Sequence, residues 1–596
     1  MCGIVGYTGH RRALPILLEA LKRLEYRGYD SAGIAILEGG IQLQKDKGEI
    51  RQLERELPEM EGTTGFGHTR WATHGAPSRE NAHPFLDCKG TIALAHNGII
   101  ENHSSLRAEL EAKGHKLTSQ TDTETVVHMV EDAYEGNLEA ALRSVLPQIQ
   151  GAYAFALMHA SEEGKLVVAR KDSPLVVGLG TEENLFASDV HALLRETSRI
   201  LYLMDGELAV ITPTDVNIYA PDGSLVKREP EIVSWTVEDS EKGGFAHFML
   251  KEIFEQPGVI HSTLLGRVSD LESDDLLMGG TSHVKLVACG TSFHAALAGK
   301  YIMEEMAGVP ASAELASEYR YTRASGERPL VILVTQSGET ADTIAAAREA
   351  RRRGCRTLAI TNYLGCTIAR EAEDVLYIRA GLEIGVAATK TFTAELMGLY
   401  LLALRFGVDT GHLTADEARK WTDELRALPR AVQSVLDSAG EIENLAREYS
   451  NSRSMFFLGR NINYPISLEG ALKMKEISYI HAEGYPAGEL KHGPLALLTE
   501  ETPVVALVPR DHTYQKMWGN IGEVSARGSP VIAIAYEGDD EMEKYVDHLL
   551  HVPSVKPVYS PVVNVVALQL LAYYTARERG CSIDKPRHLA KSVTVE

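Results

Sequence analysis

Residues 329–340 read PLVILVTQSGET, and this stretch decides the fold of the second half of the chain. The apolar run at 329–334 predicts a strand buried on both faces, and a helix is predicted to follow at 340–353. Apolar strands that alternate with helices are typical of parallel sheets covered on both sides. The loop TQSGET therefore follows the carboxyl end of a strand, where open parallel sheets bind their ligands.

The same pattern recurs through the second half of the chain. Further apolar strands are predicted at residues 284–289, 357–361, 454–458, 503–508 and 531–535. The first of these ends in Gly290-Thr291-Ser292, whereas the later copy ends in GRN and PRD. We interpret this as two tandem doubly wound α/β domains, joined by helices within 415–450, with ligand binding in the first copy.

The two hydroxyl-rich loops favour an anionic ligand. Glycine lets the backbone approach an anion, hydroxyls donate hydrogen bonds, and the start of a helix attracts negative charge. The phosphate-loop consensus and G-x-G-x-x-G are both missing from this chain, so no nucleotide is predicted. The alternative is that these hydroxyls only cap helices.

Glu469, Lys473 and Glu476 are spaced to share one face of a helix. A solvated ladder of ion pairs is the ordinary interpretation of such a row. The intervening residues are largely apolar, which favours a semi-buried row that places an acid and a base against a sugar. His492 lies in a loop between turn signals, where it could shuttle protons.

The first 220 residues are predicted to be β-rich. Strands are predicted at 33–37, 91–95, 153–159, 166–170 and 207–211, and helices at 14–24 and 123–134. Cys2 follows Met1, whose removal would leave an α-amino group beside the thiol, which joins a base to a nucleophile. Any residue can follow Met1, so position alone does not assign this role.

Asn97-Gly98 is first of all a hairpin signal, and alternatively an oxyanion hole made by the amide and a backbone N–H. Arg70 could grip a carboxylate with two hydrogen bonds, and Asp122 could pair with an ammonium. Four histidines, at 68, 74, 83 and 96, lie on separate segments without helical spacing. We therefore predict no metal site and no cofactor.

Composition limits the class of protein. A chain of 596 residues is expected to hold about two to four domains, and its net charge of −22 argues against binding nucleic acid or anionic membranes. The six cysteines lack C-x-x-C spacing, which fits a reducing compartment. No signal peptide is predicted, and the apolar segment 562–576 is expected to be a buried helix, so we expect a cytoplasmic protein.

The chain resembles the glutamine–fructose-6-phosphate aminotransferases (isomerising), or glucosamine-6-phosphate synthases, of the bacterial type, over essentially its whole length. The first half is similar to class II glutamine amidotransferases of the N-terminal-nucleophile αββα fold. The second half is similar to tandem sugar-isomerase domains. The stretches that carry the resemblance are CGIVG at 2–6, EYRGYDSAG at 25–33, Arg70-Trp71, Asn97-Gly98, CGTS at 289–292, QSGET at 336–340, EIGVA at 383–387 and LAKSVTVE at 589–596.

The resemblance implies a role for each matching residue. Cys2 would attack glutamine while Asn97 and Gly98 stabilise the oxyanion, and Trp71 would gate the passage of ammonia. Glutamine would be held by Arg70, Thr73, His74 and Asp122. The sugar phosphate would be held by Thr291, Ser292, Thr335, Gln336, Ser337 and Thr340. His492 would assist ring opening, Lys591 would form an imine, and Glu476 with Lys473 would move the proton between two carbons.

The resemblance also implies domain boundaries. We predict a glutamine amidotransferase domain at 2–218, a linker at 219–274, sugar-isomerase domains at 275–415 and 446–587, and a tail at 588–596 that closes the sugar site. The expected substrates are glutamine and fructose 6-phosphate, and a homodimer is expected. The alternatives are a phosphosugar-sensing protein without turnover and an amidotransferase for another sugar phosphate.

Overall fold

The computed structural model of the protein describes residues 2–71, 74–233, 242–265, 283–323, 326, 328–539 and 541–594. The chain divides into two compact units, one of residues up to 240 together with those from 590 onward, and one of residues 241–589. Each unit has its own sheets and its own hydrophobic core.

The first unit is built from antiparallel strands and five helices in the part of the chain described. Its strands are β1 Gly3–Thr8, β2 Ser31–Leu37, β3 Ile41–Lys47, β4 Thr64–Arg70, β5 Phe85–Leu86, β6 Ile92–Ile100, β7 Gly151–His159, β8 Leu166–Lys171, β9 Val176–Leu179, β10 Asn184–Ala187, β11 Arg199–Tyr202, β12 Leu208–Ile211, β13 Val216–Tyr219, β14 Leu225–Val226 and β15 Glu231–Ile232. Its helices are α1 Ala13–Leu24, α2 Ile50–Glu56, α3 His103–Lys113, α4 Thr123–Ala133 and α5 Leu138–Val145.

These elements form four layers. One sheet has the order β15-β11-β9-β10-β1-β4-β2-β3 and the other β14-β13-β12-β8-β7-β6-β5. Aliphatic and aromatic residues of both sheets, among them Ile4, Phe66 and Ala95, form the core between them. Separate cores join α1 and α2 to the first sheet and α3 to α5 to the second. The αββα architecture predicted for this half is confirmed.

Every strand and helix predicted in this half is present, with shifted ends. The largest difference is β6, which continues from the predicted strand through Asn97 and Gly98 to Ile100. Strands β14 and β15 lie in the segment that we predicted to be a linker, and they pair with β13 and β11 of the two sheets.

The second unit alternates strands and helices. Its strands are β16 Val284–Ala288, β17 Ala311–Leu315, β18 Leu330–Val334, β19 Thr357–Thr361, β20 Asp374–Tyr377, β21 Ser454–Gly459, β22 His481–Pro486, β23 Val504–Val508, β24 Val531–Tyr536 and β25 His548–Val552. Its helices are α6 Phe248–Phe254, α7 Gln256–Leu264, α8 Gly290–Ile302, α9 Ala316–Tyr319, α10 Ala341–Arg352, α11 Thr367–Glu371, α12 Lys390–Asp409, α13 Ala415–Asp437, α14 Ala439–Tyr449, α15 Tyr464–Ser478, α16 Tyr514–Ser525 and α17 Ser560–Glu578.

Two parallel five-stranded sheets have the same topology. Their orders are β17-β16-β18-β19-β20 and β22-β21-β23-β24-β25, so each is doubly wound, and a single hydrophobic core extends across both domains. The strand order reverses between β16 and β18, and ligands bind such sheets at the carboxyl ends of the strands flanking this point. Gly290-Thr291-Ser292, predicted to be a loop, forms the first turn of α8 directly after β16, and the loop 335–340 follows β18.

Two helices of this unit are long and apolar enough to cross a membrane by length and composition alone. They are Lys390–Asp409 and Pro557–Glu578. In the most apolar 18-residue segment of each helix, 94% and 100% of the residues, respectively, are buried inside the protein. Core helices pass the same test. The expectation of a buried helix at 562–576 is confirmed.

Gly470 sets the distance between α15 and α17. A Cβ at this position would lie 2.6 Å from Cδ1 of Leu568 and 3.1 Å from Cδ1 of Phe457, and both neighbours are buried. The close approach matters because α15 also carries Glu469, Lys473 and Glu476.

We expect Gly470→Ala to lower the free energy of unfolding by about 1–3 kcal/mol, because the added methyl overpacks this contact. Thermal unfolding of the full chain measures the effect. Gly440 is the matched control, since it is an exposed residue of α14 whose Cβ would meet nothing within 4 Å. Gly440→Ala should be neutral or stabilising by up to about 1 kcal/mol. Equal behaviour of the two variants would contradict this account.

Candidate active sites

Cys2 is held against the end of β4. It precedes β1, whose Gly3 lies opposite Thr69 of β4. The Trp71 N–H donates to Cys2 Sγ at 3.3 Å, and the thiol donates to the Trp71 carbonyl at 3.5 Å. A Cβ on Gly28 would lie 2.7 Å from both the Arg70 carbonyl carbon and the Trp71 nitrogen, so glycine is needed for the backbone to run here.

The Asn97 amide reaches Cys2 from the second sheet. Its Nδ2 donates to the Cys2 carbonyl at 3.1 Å. On the other side, His68 Nε2 lies 3.0 Å from Asn97 Oδ1 and 3.1 Å from the His96 carbonyl oxygen. Since both of these atoms accept, the proton of His68 is assigned to Nε2, and this contact orients the Asn97 amide with its N–H groups toward Cys2.

His68 is a residue that the sequence analysis considered only as a metal ligand. It is fully buried, and burial lowers its pKa to about 3, so the ring is neutral at physiological pH. Its position in the sequence could have indicated this role. His68 lies two residues before Arg70, on the strand β4 that pairs with β1. We assign it the role of positioning Asn97.

Asn97-Gly98 lies inside β6, so the hairpin interpretation is wrong. Asn97 pairs with Ala154 and Gly98 with Tyr153 of β7, and the ladder continues to Ile100. Gly98 has a φ of 132°, and a Cβ there would lie 2.0 Å from the Ala152 carbonyl oxygen. The glycine lets the strand turn its backbone here without ending.

Arg70 and Asp122 are both buried. Arg70 Nη2 donates to the His74 and Gly75 carbonyls, while Nη1 is buried without a partner in the part of the chain described. Burial lowers the pKa of Arg70, and the carboxylates of Asp30 and Asp122 act against this. An unpaired guanidinium N–H is expensive to bury, which marks a position where a ligand carboxylate could bind.

The other predicted glutamine contacts are placed in part. Asp122 immediately precedes α4, and its carboxylate accepts the Ile100 N–H at 2.8 Å. The ring of His74 packs against His103, with centroids 5.2 Å apart. Thr73 lies outside the described residues. Trp71 contacts Tyr29 edge to face, with ring centroids 5.7 Å apart.

The Cys2 thiol needs a base. Burial raises its pKa, and the Trp71 N–H and Arg70, which favour the thiolate, do not outweigh burial. The thiol is therefore protonated near neutral pH, and a group beside it has to accept the proton before the sulfur can act as a nucleophile.

In the loop after β18, some polar side chains form hydrogen bonds within the described part of the protein and others do not. Thr335 Oγ1 accepts the Gly338 N–H at 3.3 Å, and Ser337 Oγ accepts the Glu339 N–H at 3.2 Å. The side chains of Gln336 and Thr340 make no hydrogen bond to the described part of the protein and are partly exposed. Thr340 is the residue before α10, so its hydroxyl lies at a helix N-terminus.

The first turn of α8, which directly follows β16, contacts both domains of the second unit. Ser292 Oγ donates to Glu395 of α12 at 2.8 Å. Thr291 Oγ1 donates to Glu469 of α15 at 3.1 Å and accepts from Lys473 at 3.1 Å. The first turn of α8 therefore meets α15, the helix predicted to carry the acid–base row.

Glu469, Lys473 and Glu476 share one face of α15, as predicted, and they are not a solvated ladder. Lys473 is 1% exposed and Glu469 is fully buried. The Lys473 ammonium lies 2.5 Å from Glu476 Oε2 and 3.5 Å from Glu469 Oε1. Burial lowers the pKa of Lys473, but the two carboxylates outweigh it and hold the pKa above its ordinary value.

Glu476 and His492 are more exposed to solvent than Glu469 and Lys473. The Glu476 side chain is 19% exposed, so its carboxylate reaches the surface of the site while Lys473 lies beneath it. His492 ends the 3-10 helix Ala487–His492 and is exposed. His294 is a residue that the sequence analysis missed, since its Nδ1 lies 2.7 Å from Glu469 Oε2.

Lys591 belongs to the tail from residue 590 onward, which groups with the first unit. Its role as the imine-forming lysine and the closure of the sugar site by the tail stay predictions. The domain boundaries that we predicted also stay predictions.

A group of possible metal ligands occurs where none was predicted. The four histidines weighed in the sequence analysis do not form such a group in the described residues, but Cys88, His115, His128 and Glu131 do. Their ligand atoms all lie within 4.8 Å of one another.

Comparisons with known proteins agree with this division of the chain. Residues 68–195 match the glutamine amidotransferase domain family, and residues 280–405 and 448–579 match the SIS domain family. The glutamine–fructose-6-phosphate aminotransferase (isomerizing) of Methanosarcina acetivorans is 52% identical over 100% of both chains. The chain belongs to this family of aminotransferases. The family member from Thermus thermophilus is 49% identical, again over 100% of both chains.

A solved structure supports the fold of the second unit. The C-terminal domain of glucosamine-fructose-6-phosphate aminotransferase from Francisella tularensis is 39% identical with a TM-score of 0.56, and it covers 58% of this chain and 100% of its own. The resemblance to the aminotransferase family, inferred from scattered motifs, is therefore confirmed over the whole chain.

Lys473→Met should destabilise this aminotransferase by about 3–5 kcal/mol, because it leaves two carboxylates of α15 without their buried cation. Thermal or denaturant unfolding of the full chain measures the loss. Lys475→Met is the matched control, since Lys475 lies on the same helix and is exposed. A Lys473→Met protein as stable as the control would show that the buried row does not depend on its cation.

Proposed function

We propose that the protein converts fructose 6-phosphate and glutamine into glucosamine 6-phosphate and glutamate. Full-length identity of 52% to an aminotransferase of this name carries the proposal. The Cys2 site and the α15 site agree with it, since one suits amide hydrolysis and the other proton transfer on a sugar phosphate. We further propose that the enzyme acts in the cytoplasm as a homodimer.

In the first half-reaction, the Cys2 α-amino group, set free by removal of Met1, takes the thiol proton. The sulfur then attacks the side-chain carbonyl of glutamine, and Asn97 with the Gly98 N–H stabilises the oxyanion. Ammonia leaves with the returned proton, and water hydrolyses the thioester to glutamate. Arg70 holds the α-carboxylate through its free Nη1, Asp122 holds the α-ammonium, and Thr73 and His74 complete the site.

In the second half-reaction, His492 assists opening of the sugar ring and Lys591 forms an imine with the keto carbon. Ammonia displaces the lysine from that imine, and Glu476 moves a proton between the first two carbons, with the charge of Lys473 beneath it. The phosphate is held by Ser292, Gln336, Ser337 and Thr340, with Thr291 and Thr335 shaping the loops. Gln336 and Thr340 suit this role because their polar groups are unused by the described part of the protein.

Trp71 is proposed to gate ammonia between the two half-reactions. Ammonia released into water near neutral pH would be protonated to unreactive ammonium, so it has to be used where it is made available. The contact of Trp71 with both Cys2 Sγ and the Tyr29 ring supports this role.

Cys2→Ala is expected to abolish glutamine hydrolysis while leaving the isomerisation of fructose 6-phosphate within about twofold of the wild type. Product analysis with glutamine and fructose 6-phosphate measures both activities in one preparation. Cys581→Ala, which removes a thiol of the second unit, is the control and should retain both. Glutaminase activity in the Cys2 variant would contradict the assignment.

Lys591→Ala is expected to lose the covalent adduct that borohydride traps with fructose 6-phosphate, because the imine nitrogen would be missing. Mass spectrometry of the trapped protein locates the adduct. Lys585→Ala is the control, six positions earlier in the chain. An unchanged adduct in the Lys591 variant would move the imine to another lysine, and binding of fructose 6-phosphate without any product would favour the phosphosugar-sensing alternative.

A further inference from the structure

Four potential ligands converge at the turn before β6 in the first unit. Cys88 lies in the turn between β5 and β6, His115 follows the end of α3, and His128 and Glu131 stand one turn apart on α4. Three segments that are distant in the sequence thus supply one thiol, two imidazoles and one carboxylate. These ligand types are those that Zn²⁺ selects in proteins.

Four distances between ligand atoms are close to those around a tetrahedral ion. Cys88 Sγ lies 3.5 Å from His115 Nδ1 and 3.6 Å from His128 Nδ1. Glu131 Oε2 lies 3.4 Å from His115 Nδ1 and 3.2 Å from His128 Nδ1. A tetrahedral Zn²⁺ with bonds of about 2.0–2.3 Å sets its ligands about 3.3–3.7 Å apart. These four distances lie in or close to that range, and all the ligand atoms lie within 4.8 Å of one another.

The carboxylate of Asp132 fixes His115 in the form that binds a metal. Its Oδ1 lies 2.8 Å from His115 Nε2, and Lys113 holds its Oδ2 at 2.8 Å. A neutral His115 donates through Nε2 to this carboxylate, which leaves the lone pair of Nδ1 facing Cys88 and Glu131. Pairing of a carboxylate with the outer nitrogen is the usual support of a metal-ligating histidine.

The neutral group contains one unfavourable contact between ligand atoms. With the proton of His115 on Nε2, its Nδ1 and Glu131 Oε2 face each other as two acceptors at 3.4 Å. The Cys88 N–H donates to the same Glu131 oxygen at 3.0 Å. A metal ion between these two atoms would replace their repulsion by attraction to one cation.

We propose that Cys88, His115, His128 and Glu131 form a structural Zn²⁺ site. Binding releases the thiol proton of Cys88 to solvent, and the thiolate, the two Nδ1 atoms and Glu131 Oε2 complete four-coordinate zinc, a closed arrangement typical of structural sites. The ion ties the turn before β6 to α4, and Asp122 immediately before α4 already accepts the Ile100 N–H of β6. Zinc thereby stabilises the pair of elements that carry Asn97 and Asp122.

The test uses Co²⁺ as the probe on the full-length protein after treatment with a chelator. We expect about one Co²⁺ per chain, with the thiolate charge-transfer absorption and the intense visible bands of a tetrahedral Cys-ligated ion, both displaced by Zn²⁺. Cys88→Ser should lose the charge-transfer absorption, and Cys581→Ser and Cys2→Ala should keep it. Cys88 is exposed, so its replacement leaves the core untouched.

Asp132→Asn provides a second, independent measurement, because the Asp132 carboxylate hydrogen-bonds to His115 and Lys113 and is not itself a proposed ligand. It should weaken Co²⁺ or Zn²⁺ binding about 10–100-fold without removing the thiolate signal. Zn²⁺ should also raise the thermal unfolding midpoint of the wild type and not that of Cys88→Ser. Absence of Co²⁺ binding, or the same spectrum in Cys88→Ser, would overturn the proposal and leave a protonated hydrogen-bond cluster.

Discussion

The buried ammonium of Lys473 is the constraint on which the second unit depends. A charge that is 1% exposed is tolerated only beside opposite charge and hydrogen-bond partners, and here these come from Glu469, Glu476 and Thr291. Thr291 belongs to the first parallel sheet's switch point, whereas the other three belong to α15 of the second domain. The charge is paired within α15, and the Thr291 hydroxyl of the first domain adds a hydrogen bond, so burial of this row depends on both domains and brings the first turn of α8 next to α15.

This requirement explains the asymmetry between the two copies of the doubly wound domain. Both have the same strand order, and both expose loops at the point where that order reverses. The first copy uses these loops for hydroxyl and amide groups, such as those of Gln336 and Thr340. The second copy contributes α15, whose row of charges would be too costly to bury unless the first copy covered it.

In the first unit, the main constraint is the orientation of the neutral side-chain amide of Asn97. Asn97 can present its N–H groups to the Cys2 side only if its oxygen is held elsewhere, and the neutral His68 ring does this from β4. Since β4 also supplies Arg70 and ends against Cys2, one strand orients the amide, the guanidinium and the nucleophile together. Rigid positioning of this kind is what makes an oxyanion hole effective.

Sequence periodicity was enough for the parallel α/β domains, the tandem repeat and the α15 row, whereas the αββα layers and most of the other candidate site residues came from the resemblance to the aminotransferase family. Short apolar runs such as 329–334, alternating with helices, are typical of buried parallel strands, and the residues that follow such strands lie at one edge of the sheet. The spacing of Glu469, Lys473 and Glu476 likewise placed them on one helix face. These features are local, because they depend on periodicity and on the chemistry of neighbouring residues.

Tertiary structure decided which residues serve each other across the fold. Asn97-Gly98 has the composition of a turn, yet pairing with β7 keeps it within a strand. The roles of His68 and His294 depend on partners 29 and 175 positions away in the chain, and no periodicity reports such contacts. The same holds for Cys88, His115, His128 and Glu131, which only the packing of the β5–β6 turn against α3 and α4 brings within reach of one ion. Burial and long-range pairing are properties of the folded chain, so the sequence pattern alone could not reveal them.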